Sequence, residues 1–394
     1  MAGHIEHDVP VRQVTSGPGY HFFGYYDKFP WDATGRYLLC LEVDFLGRTP
    51  EPDDVARLCL IDTQDGDALR VIAETRAWNW QQGCMARWLP PHDDRHVIYN
   101  DCAGGGFVSI VLDIQSGERR QLPFPVYDVS PDGSYAVAPN FARIHDRRPG
   151  YGYAGPADPG EGELCPEDDG LWRLDIATGE VSRIATIAEL ARLQPDPDMA
   201  GNPQWLNHVQ INRDGSRVAV LHRWSTPDNP IRSTRLFTMN PDGTDKCCLA
   251  HHQLFSHYDW RGADRLLGWA RRPDGDDARY VLYTDRSDEF RVVGDDVLTA
   301  DGHCSFSPDL RWLLTDTYPR TEHRRVVVLY EWPDGPRIDV GSFHSPPEYQ
   351  GEFRCDLHPR WSRDGLRVCI DSAHLQGRQM HVLDVGDIVG PPAG

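Results

Sequence analysis

The sequence predicts an all-β protein: a seven-bladed β-propeller with four-stranded antiparallel blades around a central channel. Two countable repeats and one absence predict it. A turn followed by a strand-like run occurs seven times: PWDATGRYLLCLEVD, LPPHDDRHVIYND, SPDGSYAVAPN, NRDGSRVAVLHRW, RGADRLLGWAR, SPDLRWLLTDTY and SRDGLRVCIDSAH. A second run with its own turn follows each: RLCLIDTQDG, SIVLDIQSGE, LWRLDIATGE, RLFTMNPDGT, YVLYTDRSDE, VVVLYEWPDG and MHVLDVGDI. Helical periodicity is nearly absent, IAELARL at 187–193 being the best candidate for a helix.

Each element follows from local chemistry. Asp-Gly, Ser-Gly and Asn-Pro-Asp-Gly between alternating apolar runs are hairpin signals, because Gly accepts positive φ and Asp bonds its own backbone. A weaker third run, such as RVIAE, RRQLPF or FRVVGD, adds another strand to most units. Short strands recurring about every 40–55 residues match a propeller blade better than a two-layer sandwich. The N-terminal VPVRQVTSG is expected to add a strand to the last blade, which closes the ring and hides sheet edges. Residues 1–394 therefore read as one propeller domain, since a closed repeat overrides a size-based guess of two or three domains.

Two insertions interrupt the repeat. Residues 141–169 fall between the first and second runs of the third blade and are expected to cover the central site. Within them Tyr151 and Tyr153 are candidates to stack on a sugar ring. Residues 182–206 lead into Asn207 and His208.

Composition narrows the partners. A net charge of −20 argues against nucleic acid and anionic membrane, whose binding is dominated by Lys and Arg. An acidic ligand would need a local cationic pocket, and a short oligomer fits that need better than a long chain. The N-terminus lacks the basic start and apolar core of an export signal, and no apolar stretch approaches the ~18 residues of a membrane span. Ten cysteines without CxxC spacing then read as reduced thiols of a cytoplasmic protein, monomeric or homodimeric.

Four histidines carry the functional argument. His208, His257, His303 and His358 each precede by three residues the apolar residue that opens a turn-and-strand unit, in His-Val-Gln-Ile, His-Tyr-Asp-Trp, His-Cys-Ser-Phe and His-Pro-Arg-Trp. Equivalent positions of successive blades face one axis, so four imidazoles are expected to converge there. Blade cores favour branched apolar side chains, and imidazole is a common ligand of divalent metals. Asp356, two residues before His358, would add a hard oxygen donor. HExxH and paired CxxC, the commonest zinc patterns, are absent. The entry segments of the first three blades are instead rich in aromatics and amides, making His21, Tyr25, Tyr26, Gln82 and Tyr127 candidates for the other half of the channel rim. Trp78, Trp80 and Trp88 compete between that role and packing between blades, with packing favoured for Trp88.

QWLNHVQ, SHYDW, GHCSFSPD and DLHPRWS resemble segments of the oligogalacturonate lyases, cytoplasmic seven-bladed propellers that cleave short oligouronides with a divalent metal. The resemblance is weak but runs over almost the whole chain. It implies a β-elimination in which His257, in SHYDW, is the base. It assigns His303 and His358 to the metal together with Asp356, which stands where the family has the first His of His-Pro-His-Pro. The family's metal-binding Gln aligns with Phe353 or Arg354. The implied ion is Mn2+, with Ca2+, Zn2+ or Ni2+ as alternatives. His208 is a further catalytic or ligating candidate. Arg143, Arg223 or Arg354 would clamp the substrate carboxylate, and a tyrosine such as Tyr258, or a water, would protonate the departing O4. The family's fourth-blade arginine has Asn212 and Arg213 as nearest counterparts. A non-catalytic glycan- or peptide-binding propeller and a metal-dependent sugar hydrolase remain alternatives. A peptidase is disfavoured because no GxSxG elbow occurs.

Overall fold

The computed structural model describes residues 3–228, 233–319 and 321–390. Seven sheets follow one another along the chain, each antiparallel among its successive strands. Blade one comprises Tyr20–Phe22, Tyr37–Val43, Ala56–Asp62 and Ala68–Thr75; blade two, Arg87–Trp88, His96–Ala103, Gly106–Asp113 and Arg119–Leu122. Blade three comprises Asp128–Val129, Tyr135–Pro139, Gly170–Asp175 and Val181–Thr186; blade four, Gln204–Ile211, Val218–Trp224, Ser233–Met239 and Cys247–Ala250. Blade five contains Phe255–Trp260, Arg265–Arg271, Ala278–Thr284 and Phe290–Val293, and blade six Ser305–Phe306, Trp312–Asp316, Arg324–Glu331 and Arg337–His344. Blade seven has three strands of its own, Arg360–Trp361, Arg367–Ser372 and Gln379–Asp384. Val11–Gln13 pairs antiparallel with Gln379–Asp384 and supplies its fourth, so the chain start closes the ring. His4–Glu6 adds a parallel fifth strand to blade six, which the sequence reading did not foresee.

The repeated turn has one physical cause. Five blades place a short oxygen-bearing side chain after the inner strand, and its oxygen accepts a hydrogen bond from the backbone N–H five residues on. The pairs are Asp32 to Tyr37 (2.8 Å), Ser130 to Tyr135 (3.0 Å), Asn212 to Arg217 (2.9 Å), Ser307 to Trp312 (3.0 Å) and Ser362 to Arg367 (2.9 Å). Each bond folds the chain back into the next strand. His208, His303 and His358 stand four residues before Asn212, Ser307 and Ser362. At about 3.3 Å per extended residue, the histidines sit roughly 13 Å along the axis from these turns.

Apolar clusters fill the spaces between blades, with Trp31, Trp78, Trp80, Trp88, Trp260 and Trp361 at most 2% exposed. Packing is therefore the role of Trp78, Trp80 and Trp88, whose indole N–H groups donate to Asp54, Arg48 and Pro30 carbonyls. No helix among the described residues is long and apolar enough to cross a membrane. The helix expected at 187–193 is present as Ile187–Leu193, capped at its start by Thr186 and Glu189. The 141–169 insertion opens on a second helix, Phe141–Arg147, whose first turn Asn140 caps.

Candidate functional site

The four histidines form an arc at one end of the axis. Ring centroids of His208 and His257 lie 6.1 Å apart, those of His257 and His303 4.3 Å, and those of His303 and His358 4.3 Å. Blade geometry alone does not aim them. His208 falls at a register shift in its strand and has φ +48°, while His358 has φ +41°. Side chains other than glycine rarely adopt this left-handed region, at a cost of order 1–3 kcal/mol each, and such bulges re-aim a side chain.

His303, Asp356 and His358 form the one cluster of potential metal donors found among the described residues: one donor atom from each lies within 4.8 Å of the others, and all three residues are buried. Asp316 accepts from both the backbone N–H (2.8 Å) and Nδ1 (2.8 Å) of His303. A carboxylate can only accept, so the ring proton sits on Nδ1 and the Nε2 lone pair faces the cluster. That Nε2 has no hydrogen-bond partner, nor has either ring nitrogen of His358. Burial, then neighbouring His303 and arginines, pushes the His358 imidazole well below its ordinary pKa, which keeps it in the ligating neutral form. Asp356 lies in ion pairs with Arg325 (2.8 Å) and Arg354 (2.7 Å) that lack hydrogen-bond alignment. Burial raises its carboxyl pKa, but Arg354 and Arg325 outweigh that and hold it well below the usual range. Buried polar atoms normally have partners, so two imidazoles without one beside an ionised carboxylate fit a divalent cation.

His257 has a different environment. Its Nδ1 bonds Asp301 at 3.0 Å, and its Nε2 makes no hydrogen bond to a described residue. The Asp301 contact places the proton on Nδ1 and leaves Nε2 as the basic atom. Burial lowers the imidazole pKa against the pull of Asp301, with His303 lowering it further.

Tyr25 and Tyr26 line the arc from the opposite side. Tyr25 lies parallel to His208, with centroids 4.9 Å apart, and its hydroxyl bonds His208 Nε2 at 3.0 Å. Tyr127 and Gln82 hold Nδ1 of His208 at 3.2 and 3.3 Å, and Arg148 approaches Nε2 at 3.4 Å. His208 is thus committed to this hydrogen-bond network and is not in the metal cluster. Two glycines allow the crossing that positions Tyr25 and Gln82. A Cβ on Gly24 would lie 2.6 Å from the Gln82 carbonyl oxygen, and one on Gly83 2.5 Å from that of Phe23. Below the arc, the Tyr26 hydroxyl both donates to and accepts from the Tyr258 backbone at 2.9 Å. Tyr26 also lines a cavity of about 300 Å³ with Asp27, Lys28, Trp260 and Trp361 at the turn side of the arc.

The 141–169 insertion reaches this site through Tyr151. Its ring is 5.7 Å from His208 and 6.3 Å from Tyr25, with the Arg148 guanidinium 3.6 Å above it and Arg354 donating to its hydroxyl at 2.6 Å. Tyr153 lies deeper, stacked on Phe141 and bonded to Asn100, away from any substrate surface.

Several sequence candidates lie elsewhere. Arg143 is 1% exposed and ties the insertion together, donating to Asp158 (2.8 Å) and to the Gln204 and Glu163 carbonyls. Its charge is spent on folding rather than on a ligand. Removing one partner of such a buried pair leaves the other uncompensated, so Arg143→Ala is expected to cost about 3–5 kcal/mol in chemical denaturation. His21 is locked between Gln379 (2.9 Å) and Glu42 (3.1 Å) at the junction of blades one and seven. Tyr258 turns its hydroxyl onto the carbonyl oxygens of His208 and Ala219, so it has no proton to give a substrate. Asn212 is a turn residue, and Arg213 donates to the Trp260 and Phe306 carbonyls beside the turn-side cavity. Arg223 stands opposite Trp205, which packs with Tyr25, Tyr26 and Tyr151; its Nε and Nη1 are buried without a hydrogen-bond partner.

The sequence reading missed Asp301, Asp316, Arg148, Arg325 and Tyr318. Asp301 lies two residues before His303 yet serves His257 of the preceding blade, a pairing that only the closed ring creates. Tyr318 is 6.3 Å from His257 and 5.7 Å from His303, ring to ring, under Arg325. Burial and then Asp356 raise its phenol pKa well above the ordinary value.

No family model matches the chain, and no curated protein matches it. Solved structures do. An oligogalacturonate lyase from Vibrio parahaemolyticus superposes with a TM-score of 0.66 at 14% identity, covering 96% of this chain and 94% of its own. An oligogalacturonate lyase in complex with manganese gives a TM-score of 0.68 at 16% identity, covering 96% and 93%. The propeller domain of the trilobed protease from Pyrococcus furiosus gives 0.54 at 11% identity over 93% and 96%. At these identities the similarity establishes the seven-bladed fold and not the chemistry.

Proposed function

We propose that this chain is a carbon–oxygen lyase that cleaves short uronate-containing oligosaccharides by β-elimination, leaving 4,5-unsaturated ends. One observation carries the reading: a carboxylate-oriented imidazole, His257, stands 4.3 Å from the first member of a three-donor cluster. Removal of a C5 proton needs a base of near-neutral strength beside a group that takes up negative charge at the C6 carboxylate. His303, Asp356 and His358 would hold a divalent ion, manganese first, as in the manganese complex of the oligogalacturonate lyase. When bound, that ion would neutralise the C6 carboxylate and stabilise the charge that develops as C5 loses its proton.

The chain's own groups do the rest. His257 Nε2 takes the C5 proton, and Asp301 fixes the ring and stabilises the imidazolium. Arg148 at the rim supplies local positive charge for an acidic sugar in an otherwise anionic protein. Tyr151, under Arg148, and Tyr25, stacked on His208, are buried and shape the wall beside the arc. The ten cysteines are free thiols, which fits a cytoplasmic setting.

Incubation of the manganese-loaded protein with oligogalacturonides and glucuronate-containing oligosaccharides is expected to raise ultraviolet absorbance from the conjugated product. New reducing ends without that absorbance would mean hydrolysis. Neither signal, with saturable binding of the same sugars, would mean a binding protein.

A further inference from the structure

We propose that Tyr318 is the general acid that protonates the departing O4, an inference that rests on the β-elimination reading. Of the tyrosines around the histidine arc, five have committed hydroxyls. Tyr25 bonds His208, Tyr26 the Tyr258 backbone, Tyr127 Gln82 and His208, Tyr151 Arg354, and Tyr258 the His208 carbonyl. The Tyr318 hydroxyl makes no hydrogen bond to a described residue, and its side chain is only partly covered.

Its position complements that of the base. The ring lies 6.3 Å from His257 and 5.7 Å from His303, and Arg325 fixes it from behind at 5.6 Å. H5 and O4 sit on adjacent carbons, so a base and an acid each reaching its atom at roughly 3 Å must stand several ångströms apart around the same bond. Ring centres 6.3 Å apart are compatible with that separation. The proton balance closes. The C5–H bond breaks toward His257 Nε2, its electron pair forms C4=C5, and the C4–O4 bond breaks as O4 takes the phenolic proton. The imidazolium then returns a proton to the phenolate through solvent.

The test uses Tyr318→Phe, which keeps the ring and removes the proton, on two substrates: an oligogalacturonide and a uronate carrying 4-nitrophenoxide at C4. Nitrophenoxide leaves without protonation. The variant is expected to lose about 100-fold on the oligosaccharide yet stay within about threefold of the parent on the aryl substrate. Its metal content is expected to be unchanged. His257→Ala is expected to lose activity on both. An equal loss by Tyr318→Phe on both substrates, or a loss under about threefold on the oligosaccharide, would overturn the assignment. A parent protein that eliminates neither substrate would instead remove the lyase reading, and this inference with it.

Discussion

His257→Ala is expected to lower the rate of oligouronide elimination by about 10⁴-fold, the upper end of what a positioned base contributes. The expectation comes from the contrast between His257 and its neighbours. His208 has both ring nitrogens engaged, by Tyr25 on one side and Tyr127 and Gln82 on the other. His303 and His358 direct unpartnered nitrogens at the donor cluster with Asp356. His257 and His303 each combine an Nδ1 held by a carboxylate with an Nε2 that no described residue occupies, but His303 belongs to the donor cluster and His257 does not, which leaves His257 for the proton. Loss of the side chain should leave metal content and thermal unfolding close to those of the parent, because His257 belongs to neither the donor cluster nor an apolar core. Asp301→Asn should fall by a smaller factor, since it disturbs the tautomer without deleting the base. Activity of His257→Ala within tenfold of the parent would show that another group removes the proton.

The architecture was legible because its signals are local and repeated. Serine, aspartate or asparagine at one turn position bonds a backbone N–H five residues on, so the same few letters recur wherever the same hairpin does. Those turns mark five of the seven blades, and the second run with its own turn marks the others. The histidine arc was legible for the same reason: a fixed offset from a repeated turn becomes a fixed height on the axis. What the sequence did not disclose depends on which parts of the ring meet. Asp301 lies two residues before His303 but reaches His257, and Arg148 enters from an insertion whose path no periodicity describes. Arg143 and His21 misled because residue type signals chemistry without signalling environment. An arginine that finds Asp158 and three carbonyls within reach serves the fold, and a histidine between Glu42 and Gln379 does the same. The helix Phe141–Arg147 was hidden because its apolar face is only about two turns long and is held by the Asn140 cap and by packing.

The double variant His303→Ala, His358→Ala is expected to retain no stoichiometric manganese after dialysis, where the parent holds one equivalent by elemental analysis. Each imidazole presents a buried nitrogen without a protein partner, and Asp316 orients the first of them. A fully loaded double variant would show that these nitrogens are not ligands. Asp316→Asn should weaken metal affinity by roughly 10–100-fold, the usual effect of losing the group that orients a ligating histidine. Asp356 tests the electrostatics more sharply. Its carboxylate faces Arg325 and Arg354 as well as the two imidazoles, so it offsets two guanidinium charges that would otherwise repel an incoming cation. Asp356→Asn preserves the shape and removes the charge. It should therefore abolish manganese binding and also destabilise the metal-free protein by about 3–5 kcal/mol, because the buried Arg325 loses its counter-ion. Loss of metal without loss of stability would mean that hydration already compensates the Arg325 charge. Loss of stability with full metal content would mean that Asp356 serves the arginines alone and that the ion rests on the histidines.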